Sequence, residues 1–222
     1  MRLSTRTLER LAFSPPINYK ALLIDLDGVI RKWRPSDESI ERAYGLPVGS
    51  MREVAFSPEL AQPAITGAIS DEEWRARIAE KLASKFGATR TVEAVTEWTS
   101  HPGVVDKMTL SLLSACPSSL RLVLVTNATS RLPHDLVALG LSEHFHAVVN
   151  SSQVGVAKPN KEIFGVALER SGATPAQALF IDNTAANVKT ASSLGILSHA
   201  FDGHKGMSAF LRQAGVLRAE AP

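Results

Sequence analysis

Apolar positions follow two rhythms along this chain, and the change of rhythm divides it. Five short apolar runs read as buried strands: Ala21–Leu26, Leu122–Thr126, Ala147–Asn150, Ala178–Asp182 and Ile196–Ala200. Three of them are close to uninterrupted aliphatic, as expected of parallel strands covered on both faces. Helical spacing separates the later runs. Lys161 to Ser171 forms the clearest helical segment, with Pro159-Asn160 before it and Gly172 after it as start and stop signals. Thr174-Pro175-Ala176-Gln177 reads as a capping box with proline at the first helical position. Asn183 is placed to cap a further helix that ends near Leu194-Gly195. Alternating strand and helix predict an α/β parallel sheet, Rossmann-like, with right-handed crossovers.

Residues 31–100 keep the helical rhythm and show no strand pattern. Ser70-Asp71-Glu72-Glu73 is a capping box, followed by Trp74, Ile78, Leu82 and Phe86 at steps of four and then Gly87. Val92, Val95 and Trp98 continue in the same style. Helical sequence between the first strand and the rest of the sheet predicts an inserted α-helical subdomain. The expected division is an N-terminal extension (1–20), a core formed by 21–30 and 101–222, and a helical cap over 31–100. Trp74 and Trp98 are expected to fill the insert's own core, which its apolar stripes suffice to build.

Composition narrows the function classes. At 222 residues, 45% hydrophobic and 21% charged, the chain has the make-up of an ordinary globular protein. A net charge of +2, with no basic stripe, argues against nucleic acid as a partner. No run approaches the roughly 18 apolar residues of a membrane span. The first twenty residues carry Arg2, Arg6, Arg10 and Lys20 without the apolar stretch of a secretory signal, so the expected compartment is the cytoplasm. Cys116 stands alone in an apolar neighbourhood and is expected to pack at a helix end. The six histidines, at 101, 134, 144, 146, 199 and 204, show no ligand spacing.

The chemistry gathers at strand ends. Asp25 and Asp27 close the first strand at i, i+2, and a glycine follows; side chains two apart on a strand share a face. Two carboxylates so placed repel unless a cation sits between them. A plain Asp-x-Asp-Gly turn is the competing explanation. Thr126-Asn127, Lys158 and Asp182-Asn183 each follow a later strand, and ligands of open α/β sheets bind beyond such carboxyl ends. Together they supply carboxylates, a hydroxyl and an ammonium at one sheet edge, the set a magnesium-assisted phosphoryl site requires. Arg31, Lys32, Trp33 and Arg34 are candidates to line the entrance, weighed against a solvated basic linker.

Four segments, Asp25-Leu26-Asp27-Gly28-Val29, Val125-Thr126-Asn127, Val156-Ala157-Lys158-Pro159-Asn160 and Phe180-Ile181-Asp182-Asn183, resemble in order the four motifs of the haloacid dehalogenase superfamily. The helical insert resembles that family's small α-helical (C1-type) cap. Thr184-Ala185-Ala186-Asn187-Val188 is similar to the continuation of the fourth motif in its sugar-phosphate and epoxide-hydrolase-associated phosphatases. The resemblance implies hydrolysis of small phosphorylated metabolites through an aspartyl-phosphate, with Mg2+ as cofactor. Asp25 would be the nucleophile, Asp27 the acid and base, and Thr126, Asn127 and Lys158 the phosphoryl-binding groups. Asp25, Asp27, Asp182 and Asn183 would surround the metal. An acid at 27 favours phosphate esters over halides, because an alkoxide leaving group needs a proton and a halide does not. The chain departs from the pattern at Asn183, where relatives carry a second acid, and an amide there removes one negative charge. That departure keeps open a weakened relative that binds a phosphometabolite or a protein partner. A phosphomutase or dehalogenase-type relative is the remaining alternative.

Overall fold

The computed structural model describes residues 18–33 and 37–218. Arg34 and the residues before Asn18 lie outside the described residues. Among the described residues seven strands and eleven α-helices are numbered in chain order, the shortest helix being α8 (Ser151–Val154). Five strands, β1 (Ala21–Ile24), β4 (Arg121–Thr126), β5 (Ala147–Asn150), β6 (Ala178–Asp182) and β7 (Leu197–Ala200), form one all-parallel sheet in the order β5-β4-β1-β6-β7. Strand β1 is central. The chain winds outward from it through β4 and β5 on one side, then through β6 and β7 on the other, which makes the ends beside β1 the switch point of the sheet.

Side-chain alternation builds the two covered faces. Leu22 and Ile24 of β1 join Leu124, Leu179 and Ile181 against α6 (Lys107–Ser114), α7 (Leu132–Ala138) and α11 (His204–Gln213). Leu23 joins Val123, Val125, Val149 and Phe180 against α9 (Lys161–Ser171) and α10 (Ala185–Ser193), where Phe164 and Phe180 meet edge to face at 5.1 Å. Asn160 caps α9 by accepting from the Glu162 N–H at 2.9 Å.

Three sequence expectations change. Leu26 leaves the sheet, because its carbonyl accepts from Ile30 and Arg31 N–H to close a tight turn. The Thr174 segment makes only a 3-10 turn, Pro175–Gln177, before β6 begins at Ala178. Thr184, not Asn183, stands at the N-cap position of helix α10, and its side chain makes no capping bond. The expected absence of strand within 31–100 also fails at one end: β2 (Arg31–Lys32) pairs antiparallel with β3 (Val104–Val105) in a two-strand ribbon.

That ribbon carries a layer of five helices: α1 (Asp37–Ala43), α2 (Ser50–Ala55), α3 (Pro58–Ile65), α4 (Asp71–Phe86) and α5 (Thr91–Trp98). They share a core of their own, with Met51, Ile78 and Leu82 fully buried and Trp74 and Trp98 packed at 6.3 Å. Glu41, also fully buried, accepts from the Gly49 and Met51 N–H groups at the start of α2.

Away from the ribbon, the layer is latched to the sheet domain. Ser130 Oγ accepts from the Asp71 N–H at 2.9 Å, and Thr129 Oγ1 donates to Asp71 Oδ1 at 2.6 Å. Gly67, at φ +74°, approaches the Ser152 carbonyl so closely that a Cβ would lie 2.0 Å from the oxygen. Gly67→Ala is therefore expected to cost on the order of 1–3 kcal/mol and to loosen this latch. Urea unfolding and faster hydrogen exchange at the Asp71 amide would register it, and an unchanged amide would contradict the close approach.

Candidate active site

Lys158 stands at the centre of the sheet edge. Its ammonium donates to Asp25 Oδ1, Asp182 Oδ2 and the Val125 carbonyl, each at 2.7 Å. These three bonds use every donor of the group. All three charged side chains are buried, Asp182 completely. Asn127 holds the lysine's backbone from both sides: its Nδ2 donates to the Lys158 carbonyl and its Oδ1 accepts from the Lys158 N–H, both at 2.8 Å.

The remaining acceptor capacity of Asp182 is turned inward. Its Oδ1 accepts from the Thr184 N–H at 2.7 Å and its Oδ2 from Asn187 Nδ2 at 3.0 Å. Of the adjacent pair, Asn183 is the member that borders the cavity. It packs over the Gly28 backbone, where a Cβ would fall 2.1 Å from the Asn183 amide nitrogen.

Two carboxylates and one ammonium leave this buried cluster with one net negative charge. Burial raises the Asp25 pKa most, attraction to Lys158 lowers it, and repulsion from Asp182 raises it again; the result is a rise from 3.8 to about 6. Beside the cluster, Thr126 Oγ1 at the end of β4 is buried without a hydrogen-bond partner. A free buried hydroxyl next to an excess of negative charge is an incomplete polar site.

Asp27 is turned toward Arg31. Both of its oxygens accept from that guanidinium, at 2.7 and 2.9 Å, and Oδ1 also accepts from Trp33 Nε1 at 2.8 Å. Arg31 in turn donates to Asp135 Oδ2 at 3.0 Å, and Asp135 Oδ1 accepts from Arg131 Nε at 2.8 Å. Burial opposes the charge of Arg31, but hydrogen bonding and attraction from Asp27, then Asp135, outweigh it and raise its pKa. Arg31 thus borders the cavity as a buried, ion-paired residue and is not part of a solvated linker. Lys32 is exposed and donates to the Gly28 carbonyl, and Trp33 lines the cavity.

The cavity, about 650 Å3, lies between the helical layer and the sheet edge, bordered by Asp27, Asn127 and Asn183 below and by Phe56, Trp74 and Trp98 above. Sequence reasoning did not mark Phe56, His101 or Asp135 as site residues. Phe56 carries no polar signal, and the roles of the other two arise only from the fold. Cys116 is half-buried, its Sγ 3.5 Å from the Leu112 carbonyl, and burial pushes the thiol up to about 11. Among the described residues, no three His, Cys, Asp or Glu side chains converge to hold a metal. No helix among them is long and apolar enough to cross a membrane.

A buried carboxylate, a paired lysine and an unpartnered threonine thus meet at the switch point of a parallel sheet. The chain belongs to the haloacid dehalogenase-like hydrolases, whose family model matches residues 19–195. It is similar to mouse haloacid dehalogenase-like hydrolase domain-containing protein 3, at 26% identity over 77% of this chain and 64% of that protein. It thus spans less than two thirds of that relative. A shorter stretch, 33% of this chain and 31% of the relative, is 43% identical to pyrimidine 5'-nucleotidase YjjG of Escherichia coli. The fold is that of a HAD family enzyme from Bacteroides thetaiotaomicron solved with magnesium and inorganic phosphate, with a TM-score of 0.67 and 23% identity over 82% of this chain and 93% of that one.

The net charge of the cluster has a measurable consequence. Unfolded, Asp25 titrates near 3.8; folded, near 6. The native state holds the extra proton between those values, so this residue favours folding less and less as pH rises from 4 to 6 and imposes its full penalty above 6. Two pH units correspond to about 3 kcal/mol. Metal-free Asp25→Asn is expected to unfold no more readily than wild type at pH 7.5, with any advantage shrinking at pH 5. Chemical denaturation at the two pH values measures it; an Asn variant markedly less stable at pH 7.5 would contradict the charge excess.

Proposed function

We propose that the chain is a magnesium-dependent phosphatase of small phosphate monoesters. The observation that carries this reading is the buried Asp25–Lys158–Asp182 cluster beside the unpartnered Thr126 hydroxyl. The available donors are hard oxygens, namely the Asp25 carboxylate, the Asp27 carbonyl and the Asn183 amide, and the net negative charge calls for a cation. These residues fit Mg2+, with less charge than a second free carboxylate would supply. When bound, magnesium neutralises enough charge for an anionic nucleophile to approach an anionic phosphoryl group.

Asp25 attacks phosphorus, the ester P–O bond breaks, and an aspartyl-phosphate forms. Lys158 holds Asp25 in position and offsets charge on the phosphoryl oxygens, while the Thr126 hydroxyl donates to one of them. Asp27 rotates away from Arg31 to deliver a proton to the departing alkoxide, then accepts one from the water that hydrolyses the aspartyl-phosphate. The helical layer closes over the reaction through the Asp71 latch and excludes bulk water. One observation favours a second reading. Asn183 at the cavity edge, with both oxygens of Asp182 engaged, would suit a weakened relative that binds a phosphometabolite without rapid turnover.

Phosphate release from a panel of monoesters, with and without magnesium, separates the two. Wild type is expected to release phosphate only with magnesium, and Asp25→Asn to lose at least about 10³-fold. Asn183→Asp is expected to lower the magnesium needed for half-maximal rate by about tenfold. Release that survives in Asp25→Asn would overturn the proposed mechanism. Turnover appearing only in Asn183→Asp would establish the weakened relative.

A further inference from the structure

The cavity above Asp27 carries an unusual balance of charge. Four arginines border it, and each faces a carboxylate: Arg31 meets Asp27 and Asp135, Arg131 meets Asp135, Arg52 meets Asp37, and Arg75 meets Asp71. With Asp27, Asp37, Asp71 and Asp135 opposite them, these arginines leave the lining without an excess of positive charge to attract a second anionic group of a substrate. A ligand with a carboxylate or a second phosphate beyond the reacting one would have to compete with Asp37, Asp71 and Asp135 for the arginines they already pair with.

The neutral surface is aromatic. Trp33 and Phe56 are each about half exposed, at 52% and 53%, although both are large apolar side chains. Phe56 meets Trp98 edge to face at 6.3 Å, and Trp98 leans on Trp74. The indole N–H groups are already engaged: Trp33 donates to Asp27, Trp98 to Asp37, and Trp74 to the Ala55 carbonyl. Thr99 and Thr129 hydroxyls likewise donate within the protein. Arg31 lies over the Trp33 ring at 4.4 Å and Arg52 over the Phe56 ring at 5.0 Å, so a ligand meets the ring surface that these guanidiniums leave uncovered, with Arg75 Nε, which is buried without a partner, and His101 as polar contacts.

We propose that the leaving group is an uncharged alcohol bearing an aromatic ring, which stacks against Trp33, Phe56 and Trp98 while its phosphoryl group reaches Asp25. The inference rests on the phosphatase reading and names its substrate class. An aromatic contact of this kind is worth about a factor of ten.

The test compares three esters of primary alcohols: 2-phenylethyl phosphate, glycerol 3-phosphate and 3-phosphoglycerate. With magnesium present, kcat/KM for the phenylethyl ester is expected to exceed each of the others at least tenfold. Phe56→Ala, whose exposed side chain lies outside the helical core, is expected to narrow that advantage severalfold. Glycerol 3-phosphate or 3-phosphoglycerate used as well as the aromatic ester would overturn the proposal. If no ester is hydrolysed, the phosphatase reading fails, and equilibrium binding decides the pocket separately. Quenching of tryptophan fluorescence by 2-phenylethyl phosphonate at a Kd tenfold below that of ethyl phosphonate would sustain the aromatic pocket, and equal Kd values would reject it.

Discussion

Lys158 reaches across the sheet edge to three places that lie far apart in sequence: the end of β1 at Asp25, the end of β6 at Asp182, and the Val125 carbonyl near the end of β4. An ammonium this deeply buried is tolerable only because every N–H is taken and two carboxylates face it. The loops around it follow from that requirement. Asn127 clasps the lysine's backbone, Asn187 and the Thr184 N–H hold Asp182, and Asn183 is left at the cavity. Removing Lys158 would leave two buried carboxylates without a counter-charge, so the same bonds that shape the site also tie it to the stability of the sheet.

A second charged group governs how the helical layer meets this edge. The turn after β1 brings Arg31 back onto Asp27, and the same residue opens the β2–β3 ribbon from which the helices hang. Arg31 also binds Asp135 on α7, so one guanidinium links the Asp27 loop, the β2–β3 ribbon and the sheet domain. The Asp27 carboxylate and the ribbon that carries the helical layer thereby share one anchor.

Much of this was legible in the residues. Ala147–Asn150 and Ala178–Asp182 form strands end to end as their apolar runs predict, because a doubly covered strand has few other ways to bury aliphatic side chains. Lys161–Ser171 matches because its cap and stop residues act locally. Elements set by distant contacts were not legible. Two-residue strands at Arg31 and Val104 have no periodicity to detect, and the Thr174 capping signal is genuine but is cut short by β6. At the site, the ordered motifs located Asp25, Thr126, Lys158 and Asp182. They put both Asp182 and Asn183 around the metal and did not reveal that Asp182 faces inward, nor that Arg31 is buried. Both depend on partners, Asn187 and Asp135, that only the folded chain brings near.

The proposed phosphatase reading turns on Asp25, held by Lys158, acting as the nucleophile. Its most direct test is to trap the covalent species. The protein would be incubated with magnesium and acetyl phosphate, quenched in acid, and its peptides mapped by mass spectrometry. The account predicts a phosphoryl group on the peptide containing Asp25 in wild type and none in Asp25→Asn. A phosphoryl group on another residue, or an equal yield from both proteins, would contradict it.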